Sequence, residues 1–154
     1  MTALKNQVLR EVGALARCIQ SISDIQYRNY NLQRGQFIFL TRICEHPGIN
    51  LIELSHILKV DKATTTKAVQ KLMQENYIVR ERDRADKRMW HLFPSTKAKE
   101  VYPCIIEEEN RYIEICFQGF TQKEKDHVGR LLKKMRENIE QEWKALKSYK
   151  EESR

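Results

Sequence analysis

Apolar residues recur at intervals of three and four over two long stretches at the ends of the chain and three short ones between them. Leu4, Val8, Val12, Leu15, Ile19 and Ile22 fall on one stripe, which predicts a helix from residue 4 to about residue 29. A second helix is expected from Arg34 to His46, with Phe37, Leu40, Ile43 and Cys44 inward. Pro47 and Gly48 end it, since glycine accepts a left-handed cap and proline cannot continue the helix. A third, short helix starts at Asn50, where Asn50 and Glu53 have capping-box spacing and Leu54, Ile57 and Leu58 form the apolar side.

After the short link Lys59-Val60, Asp61 caps a fourth helix that runs to about Asn76. Its expected inner side is Ala63, Thr66, Val69, Leu72 and Met73, with Thr66 structural. Its outer side carries Lys62, Thr64, Thr65, Lys67, Ala68 and Lys71, and no acidic residue lies between Asp61 and Glu75. Two short helices joined by a tight turn, the second showing Thr and Lys to solvent, are what helix-turn-helix docking on duplex DNA requires.

Beyond Tyr77 the period changes from helical to alternating. Ile78–Arg82 and Met89–Phe93 are predicted as antiparallel strands, joined by the charged loop Asp83-Arg84-Ala85-Asp86-Lys87-Arg88. A hairpin directly after a recognition helix is a wing, placed to put cations on the phosphate backbone or in the minor groove. Pro94-Ser95-Thr96 ends the second strand and caps a fifth helix to about Gly119, which Pro103 should bend. Thr121 and Glu124 form a further capping box, opening a last helix with Val128, Leu132, Met135, Ile139, Trp143 and Leu146 on one side.

The fold class expected is therefore mostly α with a small β-wing. A winged helix-turn-helix lobe over residues 31–99 is flanked by helices over 1–30 and 100–154 within a single domain. Both flanking segments carry long apolar stripes that one chain of 154 residues has few elements left to cover. A second copy, with terminal helices interleaved about a two-fold axis, covers them economically, so these segments are assigned to dimerisation.

Charge sharpens this picture. The formal net charge is +7, and residues 59–99 hold eleven Lys/Arg against five Asp/Glu, while the segments on either side are close to balanced. Positive charge concentrated on the helix-turn-helix and wing is the footprint of a polyanionic partner. No run approaches the ~18 apolar residues of a membrane span, and Met1–Val12 has no apolar signal core, so a cytoplasmic location without membrane contact is expected. Cys18, Cys44, Cys104 and Cys116 are scattered and are expected to be reduced, small core residues. His46, His56, His91 and His127 form no metal-spaced cluster. No Gly-rich phosphate loop or nucleophile turn is present, and Glu107-Glu108-Glu109 fan around a helix, so no catalytic residue, metal or cofactor is assigned.

This order of elements, and above all Val60–Leu72 followed by Tyr77-Ile78-Val79-Arg80, resembles the MarR-type (multiple antibiotic resistance) regulators over essentially the whole chain. The loop 83–88 resembles the family's wing pattern of Asp, two residues, Asp, one residue, Arg. The segment 92–98 departs from the family's Leu-x-Leu-Thr-x-x-Gly at Pro94-Ser95-Thr96 and at Ala98. The resemblance implies a homodimeric regulator, usually a repressor, on a pseudo-palindromic operator of double-stranded DNA. It implies that Thr64, Thr65 and Lys67 face base edges or nearby phosphates, that Lys71 touches the backbone, and that Lys62 belongs to the same DNA-binding helix. Arg84, Lys87 and Arg88 would form the DNA-binding wing, with Lys87 in the minor groove, and Asp83 and Asp86 would hold the wing in shape.

The family also implies release by a small effector, often a phenolic anion, for which Arg17, Tyr27, Tyr30, Phe37 and Tyr112 are the aromatic and basic candidates. Two alternatives stand beside this reading. One is a winged helix that docks on another protein, which would need an apolar surface on the fourth helix or the wing in place of the expected Lys and Thr. The other is an oxidant sensor of the same fold, for which Cys18 beside Arg17 is the candidate, against the simpler reading of a half-buried structural cysteine.

Overall fold

The computed structural model describes residues 1–152, with side chains through Ser148. The chain divides after Tyr112 into two compact units, and the fifth helix runs from the first into the second. The first unit contains α1 (Val8–Gln26), a single 3-10 turn (Arg28–Tyr30), α2 (Gln36–Glu45), β1 (Ile49–Asn50), α3 (Leu51–Leu58), α4 (Lys62–Gln74), β2 (Ile78–Arg82), β3 (Trp90–Pro94) and most of α5 (Thr96–Cys116). The second holds the end of α5 and α6 (Gln122–Glu152). This is the expected mostly α fold with a small β-wing.

The core of the first unit is built from α2, α3, α4, the sheet and the start of α5. Leu32, Leu40, Ile43, Leu54, Leu72, Leu92 and Ile105 are among its fully buried residues, and Tyr27 packs on Phe37 with ring centroids 4.8 Å apart. α1 contributes little to it, because Val8, Leu9, Val12, Leu15, Ile22 and Ile25 are all exposed. This helix is also shorter than its apolar stripe suggests. It starts at Val8, whose N–H donates to Asn6 Oδ1 at 2.9 Å, and ends at Gln26 before the 3-10 turn.

The predicted caps of α3 and α4 form. Asn50 Oδ1 accepts from Glu53 N at 2.9 Å while Glu53 Oε2 accepts from Asn50 N at 3.0 Å. Lys59 closes α3 in the left-handed region (φ 55°), which lets α4 begin at Lys62 with its cap on Asp61. Asn76 does the same after α4 (φ 60°), a conformation its short amide tolerates well. At Thr121 the box is altered: its Oγ1 accepts from Glu124 N at 3.2 Å but donates to Glu124 Oε1 at 3.1 Å, so the carboxylate takes the hydroxyl proton instead of a backbone N–H.

Four expectations change. The sheet has three strands in the order β1-β3-β2, because Ile49 pairs with Leu92 and Asn50 with His91; a two-residue strand leaves no alternation to read. Ile57 is exposed, since the buried side of α3 is centred on Leu54 and Ser55. Cys18, Cys104 and Cys116 are exposed instead of sitting in the core. Cys44 alone among the cysteines is half-buried, and burial pushes its thiol up to about 11.

The fourth change is the phase of α4. Thr65, Ala68, Val69 and Leu72 are its buried residues, whereas Ala63 is exposed and Thr66 half-buried. Two stripes of the helix share Val69 and Leu72, and a threonine can occupy either. Thr65 is satisfied inside without water, its hydroxyl donating to the Asp61 carbonyl at 2.9 Å, and Thr66 makes the equivalent bond to the Lys62 carbonyl at 2.9 Å.

Candidate nucleic-acid interface

The corrected phase of α4 defines its outer surface. Lys62, Ala63, Thr64, Lys67, Gln70 and Lys71 are exposed, flanked by the half-buried Thr66. The expected base contact from Thr65 is therefore overturned: at 0% exposure it cannot reach a ligand. Thr64 is fixed by Asp61, which accepts its N–H and its hydroxyl, each at 2.8 Å. The Thr64 oxygen thus faces outward with its proton already engaged and lone pairs free to accept. Lys71 is exposed and lies 3.7 Å from the half-buried Glu75, near the C-terminal end of α4.

Beside α4 stands the wing. Arg84, Lys87 and Arg88 are exposed in its loop. Asp83 organises that loop: its Oδ1 accepts from the N–H groups of Ala85 and Asp86 at 2.8 Å each, and its Oδ2 lies 2.7 Å from His91 Nε2. These bonds, led by the Asp86 amide and the His91 ring, hold the Asp83 carboxyl down to about 2. Asp86 Oδ1 accepts from Arg88 N at 3.0 Å, but its ion pair with the Arg88 guanidinium is 3.7 Å long and both side chains are largely in water. A pair of that kind contributes little, so Asp83 is the principal organiser of the turn.

Sequence reasoning missed a second cationic group. Arg80 and Arg82 alternate on one face of β2, and their guanidinium carbons lie 4.0 and 4.7 Å from the centroid of the Trp90 ring on β3. Drawing the hairpin register, which sets Arg82 opposite Trp90, would have placed all three on one sheet face. His91 was likewise passed over, because its partners lie in the loop and in the turn before β1.

The effector candidates are divided between core and surface. Tyr27 and Phe37 are core residues packed on each other, and Tyr27 Oη donates to the Ile105 carbonyl at 3.4 Å. Arg17 is exposed on α1 with its guanidinium folded over Gly13, and Tyr30 is exposed while its carbonyl accepts from Tyr77 Oη at 2.6 Å. A cleft of about 580 Å³ opens elsewhere, lined by His46, Pro47, Gly48, Ile49, Glu53, His56 and Ile57. No group of three or more metal-ligating side chains occurs among the described residues, and no helix among them is long and apolar enough to cross a membrane.

The MarR family model matches residues 32–89, the α2–wing segment. Over the full length, a MarR protein from Peptoclostridium difficile DA00132 is 57% identical, with a TM-score of 0.92 over 95% of each chain. The chain belongs to the MarR family. A relative in Bacillus subtilis (strain 168), the uncharacterized HTH-type transcriptional regulator YybA, is 39% identical over 92% of this chain and 95% of its own. A MarR family transcriptional regulator of Listeria monocytogenes, solved in complex with a 26mer DNA, is 36% identical with a TM-score of 0.88 over 96% of each chain. The chain is thus a winged helix-turn-helix transcriptional regulator of the MarR family, and its relatives are regulators, not enzymes.

Proposed function

We propose that this MarR-family regulator binds a pseudo-palindromic operator as a homodimer, with α4 in the major groove and the wing loop in the adjacent minor groove, and that it represses. The observation that carries this is the division of α4. Its underside is buried through Thr65, Ala68, Val69 and Leu72, while Lys62, Thr64, Lys67 and Lys71 are presented to solvent with no acidic side chain among them. Lys67 and Thr64 sit where base edges are read; Lys62 and Lys71 flank them as phosphate contacts. Arg84, Lys87 and Arg88 supply the cations suited to the negative potential of a narrow minor groove. That the Listeria relative was solved in complex with a 26mer DNA supports DNA as the partner.

Dimerisation is supported by exposed apolar surface in each unit. α1 leaves Val8, Val12, Leu15 and Ile22 in water, and α6 leaves Leu131, Leu132, Ile139 and Leu146. A single chain stabilises neither surface, and a two-fold partner would bury both. Two copies would then address half-sites about one helical turn, ~34–36 Å, apart. The reading extends to operator release by a small anionic or phenolic effector and to action in the cytoplasm, both supported by family membership. Arg17 and Tyr30, being exposed, remain accessible to such an effector.

Selection of bound fragments from genomic DNA, followed by gel-shift titration and light scattering of the complex, tests the proposal. A shared inverted repeat and a mass of two chains per operator are expected. Selected fragments that bind no tighter than random duplex, or a stable monomer on DNA, would sink it.

A further inference from the structure

His91 lies between two oxygens. Its Nδ1 is 2.7 Å from the Gly48 carbonyl and its Nε2 is 2.7 Å from Asp83 Oδ2. Neither a carbonyl nor an ionised carboxylate carries a proton, so both can only accept. A neutral imidazole has one N–H and would aim a lone pair at the second oxygen, whereas an imidazolium donates to both.

The two oxygens belong to different parts of the lobe. Gly48 occupies the turn before β1, in a left-handed conformation (φ 92°), and its N–H donates to the Leu92 carbonyl at 2.7 Å. Asp83 opens the wing loop and already holds the amides of Ala85 and Asp86. The ring therefore spans from the turn at the end of α2 to the loop that displays Arg84, Lys87 and Arg88.

We infer that His91 is a positioning residue for DNA binding: as an imidazolium it fastens the wing loop to the Gly48 turn, and loss of its proton loosens the loop and weakens binding. This rests on the wing being a DNA contact, as proposed above.

The surroundings favour the charged ring. Asp83 faces it from the loop, Glu81 stands opposite it in register on β2, and Glu53 of α3 adds a further negative charge. The Asp83 bond first, and the Gly48 carbonyl second, hold its proton affinity above that of an ordinary histidine. With 29% of the side chain exposed, the ring exchanges protons with solvent. Because the folded state raises the affinity, the bridge is complete at low pH and is lost as pH rises through the titration of His91. His46 and His56 line the cleft at the Gly48 turn, so their contribution must be separated from that of His91.

The test measures affinity for a selected operator from about pH 6 to about pH 9, beside the ring proton resonances of His91 in DNA-free protein. Wild type is expected to lose roughly three- to tenfold more affinity across that range than His91→Gln, whose side chain does not titrate. Asp83→Asn should move the midpoint of the profile, and of the His91 resonance, to lower pH. His46→Gln and His56→Gln should leave both in place. A His91→Gln profile that parallels wild type, or an Asp83→Asn midpoint that stays put, overturns the inference. If wild type selects no DNA at any pH, the operator proposal fails; the His91 resonance, read with the amide signals of Ala85 and Asp86, still decides whether the bridge exists. A ring that titrates no higher than a free histidine disproves it, even where His91→Gln does not fold.

Discussion

Asp61 holds Thr64 by two hydrogen bonds of 2.8 Å, one from the backbone N–H and one from the side-chain hydroxyl. A single carboxylate thus caps α4 and orients a side chain on its outer surface. Asp61→Ala should cost about 1 kcal/mol of stability through loss of the cap, whereas Asp61→Asn should retain most of it. Urea denaturation of the two variants measures the difference. Operator affinity should fall in Asp61→Ala by more than the loss of folded protein explains, because Thr64 is released.

Thr65 and Lys67 are two residues apart and should behave oppositely. Thr65→Ala removes a buried methyl and a buried hydroxyl that donates to the Asp61 carbonyl, so a loss of roughly 1–2 kcal/mol is expected, with sequence preference intact. Lys67→Ala should leave the melting temperature nearly unchanged and relax the preference among operator variants. Binding to a panel of single-base operator changes distinguishes them, and an unaltered panel for Lys67→Ala would remove that residue from base reading.

Lys87→Ala should weaken binding to all sequences alike and reduce the slope of log affinity against log salt by about one. Titrations at several salt concentrations read that slope directly.

Tyr77 Oη donates to the Tyr30 carbonyl at 2.6 Å, and the ring is fully buried beneath Lys97, whose Nζ is 4.1 Å from the ring centroid. Tyr77→Phe keeps the packing and strands the carbonyl, for an expected loss of about 1–1.5 kcal/mol in thermal or urea unfolding.

Asp83 gives a prediction on the acid side. Its carboxyl sits at about 2 in the folded protein against an ordinary 3.8, so its stabilisation is complete above about pH 4 and is lost as pH falls toward 2. The Ala85 and Asp86 amide resonances should keep their folded positions at pH 4 and move only in stronger acid. In Asp83→Ala they should already differ at neutral pH.

Local signals in the chain were legible where one residue type has one cheap role. Asn50 with Glu53, and Asp61 three residues before Thr64, specify their caps through side-chain reach alone. The alternation of Ile78–Arg82 specifies a strand because no helical stripe fits it. The phase of α4 was not legible, since threonine and alanine bury and expose at similar cost and both Thr65 and Thr66 satisfy their hydroxyls on the carbonyl four residues back. Nor was the role of His91, whose partners are 8 and 43 residues away and meet it only when β3 is paired on both sides. The exposure of Cys18 and of the α1 stripe departs from the pattern for another reason: periodicity reports which face is apolar, not which molecule covers it.

The stacking of Arg80 and Arg82 on Trp90 gives the wing an optical property. The sequence has two tryptophans, and the other, Trp143, belongs to α6. With Trp143→Phe, a single indole emits from beside two guanidinium groups. A phosphate that draws either arginine away changes the field on the excited ring, so the intensity and colour of the emission report wing engagement without an added dye.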